Sequence, residues 1–130
     1  MLSLRKKQAN PTRGAYASVK YVVKSLPVVA LPEVEGDLRE AMLHYASWRL
    51  DGAKHILRKY DETVGWIEWN PEAFLKKYGR VRRAILKRSY YVIYFLIQPE
   101  RTVVLAVLDG RREPSEIKSL LSGRKSRTAR

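Results

Sequence analysis

The chain has no cysteine, which rules out disulfides, zinc–thiolate sites, iron–sulfur clusters and cysteine nucleophiles. That absence fits a reducing cytoplasm, where the protein is expected to reside. Histidine is nearly as scarce: His44 and His55 stand alone, without the His, Asp or Glu spacing that a metal centre needs. A nucleophile elbow and a phosphate-cradling glycine loop are also missing, so neither a cofactor nor a metal is expected. The longest largely apolar run, Tyr90 to Ile97, falls far short of the roughly 20 residues of a membrane helix. At the other end, Met1–Lys7 leads into Gln8, Asn10, Pro11, Arg13 and Gly14 instead of an apolar signal core, so no secretion is expected.

Acidic residues are in short supply as well. There are 26 lysines and arginines against 13 aspartates and glutamates, a formal net charge of +13 in 130 residues. The excess sits largely at the ends, since residues 1–20 and residues 122–130 carry bases and no acid. Together with Pro11 and Gly14 this predicts a basic flexible extension over 1–27, one folded domain over 28–121 and a basic tail over 122–130. Such ends suit non-specific contact with nucleic acid or an acidic protein, or simply solubility.

Periodicity organises the middle. Tyr21-Val22-Val23 and Val28-Val29-Ala30-Leu31 are short β-branched runs, the second feeding through Pro32 into a helix. Val34, Leu38, Ala41, Met42, Tyr45 and Trp48 recur at helical steps, with Glu33, Glu35 and Asp37 favourably placed near the N-terminus. Asp51-Gly52 supplies a turn and a cap for a second helix through Ile56, Tyr60, Val64 and Ile67. After Asn70-Pro71 the pattern turns to strands: Val81–Lys87, Tyr90–Ile97 and Thr102–Leu108, the last two joined as a hairpin at Gln98–Arg101. A short helix from Glu113-Pro114 to Leu121 follows. The expected fold is α+β: a small twisted antiparallel β-sheet packed by an N-terminal two-helix hairpin, with a short C-terminal helix. Trp48, Trp66 and Trp69, at the helix ends, are expected to close the core.

Two stretches resemble the RelE/ParE toxin superfamily, and its ParE-like branch in particular. The first is Leu31-Pro32-Glu33-Val34-Glu35-Gly36-Asp37-Leu38-Arg39-Glu40-Ala41. The second is Val81–Phe95, with its arginines and Tyr91-Val92-Ile93-Tyr94, followed by Val103–Leu108 and Gly110-Arg111-Arg112-Glu113-Pro114. The resemblance implies the toxin of a type II toxin–antitoxin system, of the kind associated with plasmid stabilisation and growth inhibition. It implies neutralisation by a cognate acidic antitoxin and ParE-like action on DNA gyrase, without chemistry by the toxin. The alternative it implies is a RelE-like messenger-RNA endoribonuclease working on the ribosome. That branch places an arginine and a tyrosine where Tyr91 and Lys118 stand here, so whether the chain is an enzyme stays open. A third reading is a non-catalytic nucleic-acid-binding protein.

Residues 76–88 hold Lys76, Lys77, Arg80, Arg82, Arg83, Lys87 and Arg88 with no acid. Strand alternation puts Arg83 and Lys87 on one face and Arg82 and Arg88 on the other. One reading is a sheet edge protected from aggregation by charge. The other is a target-binding surface or active cleft of Arg82, Arg83, Lys87, Arg88, Arg111 and Arg112, with Tyr91 or Tyr94 as an aromatic shelf, suited to phosphates and bases. Both histidines, lying on predicted helices, are expected to serve the core or the helix surface.

Overall fold

The computed structural model describes residues 25–128, so the β-branched run Tyr21–Val23 and nearly all of the 1–27 extension lie outside the described residues. Strand β1 (Val28–Ala30) runs through Pro32 into helix α1 (Glu33–Ala46), and a short turn leads to α2 (Gly52–Trp69). A 3-10 turn at Pro71–Ala73 precedes β2 (Lys76–Tyr78), β3 (Val81–Ile85), β4 (Tyr91–Ile97), β5 (Thr102–Asp109) and α3 (Pro114–Ser126). Helix α1 starts where the Pro32 pyrrolidine fits a first turn, with Glu33 and Glu35 beside the positive end of the helix dipole.

The turn between the helices is tight because Gly52 lies against α1: a Cβ there would fall 2.0 Å from the Tyr45 carbonyl oxygen. Asp51 occupies the N-cap position, but its carboxylate does not cap α2. It binds Arg49 instead, at 2.6 Å and 3.0 Å.

The strands form one sheet in the order β1-β5-β4-β3-β2. All neighbours are antiparallel except β1, which lies parallel to β5 with Val28 opposite Thr102 and Ala30 opposite Val104. The α+β fold with a helical hairpin packed on a sheet is thus the expected one, with a parallel strand added at one edge and the short β2 at the other. Periodicity reveals a strand but not its partner, and β1 reaches β5 only after the hairpin and three more strands.

The apolar run of β4 is explained by cover on both faces. Tyr91, Ile93 and Phe95 point into a core with Val34, Ala41, Tyr45, Ile56 and Ile67 of the hairpin. Val92 and Tyr94 point the other way, into a second cluster closed by Ile117 and Leu121 of α3. Each fully buried aliphatic or phenylalanine side chain contributes about 1.5–3 kcal/mol. The tryptophans contribute less to this closure than expected, since Trp48 and Trp66 are 57% and 44% exposed.

Strand β5 carries a bulge. Phe95 faces Val104 while Tyr94 faces Ala106, so Leu105 is an extra residue, and the alternation is reset. Beyond the end of β1 this leaves the Leu105 carbonyl and the Val107 N–H turned to an open edge, where two charged side chains cover them. The Val107 N–H donates to Asp37 of α1 at 3.0 Å, and Arg124 of α3 donates to the Leu105 carbonyl at 2.9 Å. Arg124 and Asp37 are themselves paired at 2.7 Å, with side chains only 13% and 10% exposed. Helix α3 therefore continues past Leu121 to Ser126, into a segment that composition alone marks as tail, because Arg124 has a buried partner in α1.

Candidate functional site

The bases of residues 76–88 are split by the strand. Arg82, opposite Phe95, turns to the hairpin face and donates to the Phe74 carbonyl at 2.7 Å, tying the loop before β2 to the sheet. Arg83, opposite Tyr94, turns to the α3 face, where it has no carboxylate partner among the described residues. Lys87 and Arg88 are exposed in the β3–β4 turn. Arg88 adopts a left-handed backbone, φ 61°, which is costly for any residue but glycine.

That turn abuts the segment after β5, because the Gly110 N–H donates to the Tyr90 carbonyl at 2.7 Å. The Arg111 guanidinium stacks 3.8 Å from the centre of the Tyr90 ring and grips Asp109 through two nitrogens, at 3.1 Å and 2.8 Å. The hydrogen bond from Arg111 holds the Asp109 carboxyl below its ordinary range, and the same pairing raises Arg111. Arg112 lies 3.8 Å from Glu40 of α1. Lys87, Arg88, Arg111 and Arg112 thus meet at one end of the sheet. Arg82 and Arg83 stand apart from them on opposite faces of β3.

Neither of the rings expected to form an aromatic shelf is accessible. Tyr91 and Tyr94 are both buried, because a strand covered on two faces has no free side for either of them. Tyr91 lies 6.0 Å, centroid to centroid, from Tyr45, and burial raises its phenol. Burial pushes Tyr94 up to about 12, with Tyr78 adding to the push and Arg83 opposing it. The exposed ring is that of Tyr90, the residue just before β4, and its place outside the regular strand is what frees it.

One neighbour was not legible as part of this end of the molecule. The His44 ring packs against Trp48, centroids 4.6 Å apart and tilted by 57°, near Tyr45 and Tyr91, and its Nε2 is buried without a hydrogen-bond partner among the described residues. The Nε2 of His55 is likewise buried and unpartnered. Helical periodicity shows that both histidines lie on helices, but not that α1 carries His44 to the end of β4.

Charge is segregated across the sheet. The helical hairpin carries Glu33, Glu35, Asp37, Glu40, Asp61, Glu62 and Glu68, whereas β2, β3 and their following turn carry only bases. Between α1 and α2 the outer face opens an apolar groove of about 380 Å³ floored by Leu38, Met42, Leu43, Ala46, Ala53 and Leu57. Among the described residues no three His, Cys, Asp or Glu gather as metal ligands, and no helix is long and apolar enough to cross a membrane.

This sheet, hairpin and C-terminal helix are those of a known toxin fold. A family model for the ParE toxin of the type II toxin-antitoxin system, parDE, matches residues 28–114, and the chain belongs to that family. A solved chain from the chromosomal ParDE TA system of P. aeruginosa is similar at a TM-score of 0.54 and 16% identity, over 65% of this chain and 96% of that one. At that identity the likeness is one of fold. No curated protein sequence matches the chain.

Proposed function

We propose that this chain is a growth-inhibiting cytoplasmic toxin, held inactive by a cognate acidic antitoxin and acting on DNA gyrase by binding alone. The match of the ParE toxin family over residues 28–114 carries the reading. The surface supports an acidic partner in two ways. The apolar groove of the hairpin suits the apolar side of an amphipathic segment, and the unpaired bases of β3 and its turn suit that segment's carboxylates. Action without catalysis is supported by the histidines, whose buried Nε2 atoms are poorly placed to take a proton from a bound substrate. The working surface in this reading is the cationic end formed by Lys87, Arg88, Arg111 and Arg112 with the Tyr90 ring, while Arg82 and Arg83, also expected there from the sequence, stand apart from it.

The test is tightly controlled expression in bacteria, with and without any small acidic reading frame that adjoins the gene, scoring growth, plasmid supercoiling and messenger-RNA integrity together. Growth arrest with intact messages and altered supercoiling, relieved by the neighbour, is the expected result. Rapid loss of messages would replace gyrase with an endoribonuclease reading. Absence of arrest would remove the toxin activity while leaving the family and fold intact.

A further inference from the structure

Helix α3 has two unlike flanks. On the side toward α1 its bases are neutralised: Arg124 pairs with Asp37, and Arg127 with Glu33. On the other side Lys118, Ser122 and Lys125 recur at i, i+4 and i+7, along about 10.5 Å of helix, and among the described residues neither lysine has an ion-pair partner. This second flank faces the turn between β2 and β3. The two walls enclose a groove of about 130 Å³ lined by Lys118, Ser122 and Lys125 on one side and Tyr78 and Gly79 on the other. Lys125 also lines an adjoining groove of about 460 Å³ with Arg80 and Gln98, so the trough continues along the end of the sheet. Among the described residues no acid lines either groove. One carboxylate, Glu72, shares a further pocket with Arg80 and makes no ion pair with it. Arg83 extends the row, because it shares a sheet face with Val81, which lies in the floor.

The left-handed backbone of Gly79, φ 60°, turns the chain tightly here and leaves no side chain over the groove mouth. Beside it the Tyr78 ring is partly exposed, 6.0 Å from Tyr94 and 5.9 Å from the Lys77 ammonium. Unpaired cations spaced along a trough, with an aromatic ring at its wall, match a charged backbone that carries flat groups. Phosphates take the cations and a base takes the ring. An acidic peptide offers the charges but makes no use of the ring. The trough and the apolar groove of the helical hairpin lie on opposite faces of the sheet, so occupation of one leaves the other open.

We infer that the trough between α3 and the β2–β3 turn binds single-stranded nucleic acid without cleaving it. Lys118, Lys125 and Arg80 contact phosphates, and Tyr78 stacks on a base. This does not rest on gyrase being the target.

The experiment is fluorescence anisotropy of a labelled oligothymidylate with the full chain, across a salt series. Lys118→Gln with Lys125→Gln is compared with Lys54→Gln plus Arg58→Gln, which removes the same charge from the exposed side of α2. The α3 pair is expected to weaken binding tenfold or more and to lower the salt slope by about 1.4, roughly 0.7 for each lost phosphate contact on a single strand. The α2 pair is expected to change affinity less than about twofold and to leave the slope unaltered. Tyr78→Leu should weaken binding several-fold, and Tyr78→Phe, which keeps the ring, should restore it. Thermal melts accompany each variant, and any that fails to fold is replaced by Arg80→Gln, an exposed turn residue, with the same loss of affinity expected. Equal losses in the α3 and α2 pairs would reduce the effect to net charge and overturn the site. Tighter binding to duplex, or displacement by polyglutamate with no effect of Tyr78→Leu, would overturn it in favour of a duplex or an acidic peptide.

Discussion

Arg88 holds a left-handed backbone that glycine adopts freely, and nothing in the turn binds its side chain. The strain costs about 1–2 kcal/mol for a residue with a Cβ, partly offset in a glycine variant by the entropy that glycine loses on folding. Arg88→Gly should therefore raise stability by about 0.5–1 kcal/mol, read as a shift of the denaturant midpoint. If the guanidinium belongs to the working surface, the same variant is more stable and less toxic, a combination that separates function from folding. Tyr94 makes a second prediction. Its phenol titrates near 10 when unfolded and at about 12 when folded, so the folded state holds the proton more tightly. That stability is fully present below about pH 10 and is lost as pH rises toward 12. Unfolding free energy should fall by about 2–3 kcal/mol over this interval, and Tyr94→Phe should remove most of that fall.

At the scale of elements, α3 is a structural part as much as a terminal appendage. Removing one member of a buried ion pair costs about 3–5 kcal/mol, a large share of the 5–15 kcal/mol typical of a domain. Arg124→Met should thus lower the denaturant midpoint steeply. A chain ending at Leu121 should be less stable still, while one ending after Thr128 should match the full chain, because Thr128 is buried and its carbonyl accepts from Gln98. Both helices of the hairpin, the three long strands and the start of α3 are legible in the sequence, since each follows a local period of 3.6 or 2. The parallel pairing of β1, the bulge at Leu105 and the last turns of α3 are not, because each depends on a partner far away in the chain. The candidate site was legible as composition: the bases near residues 76–88 and 111–112 do stand out. Its geometry was not, because alternation sends Arg82 to a loop carbonyl and buries Tyr91, leaving Tyr90 as the accessible ring.

For the whole molecule, the net charge of +13 sits largely at the two ends of the chain, and among the described residues β2, β3 and the last turns of α3 are cationic while the hairpin holds most of the acids. An acidic partner would be drawn in over long range, and that attraction is screened by salt. Raising ionic strength from about 0.01 M to about 0.15 M shortens the Debye length from about 30 Å to about 8 Å. The association rate with the antitoxin should drop tenfold or more over that range, with a much smaller change in dissociation, as stopped-flow measurements would show. A salt-independent association rate would mean that the apolar groove of the hairpin, and not the field of the molecule, governs encounter.

The clasp between Asp37 and Arg124 joins residues 87 apart in the chain. Synthesis proceeds at about 5–20 residues per second, so Asp37 waits roughly 4–17 s for its arginine to be made. During that wait the bulged edge of β5 is unsealed and the second face of the sheet is bare. The clasp and the α3 cover thus form only after Arg124 has been made, and any partner that binds before then meets a sheet with one face uncovered.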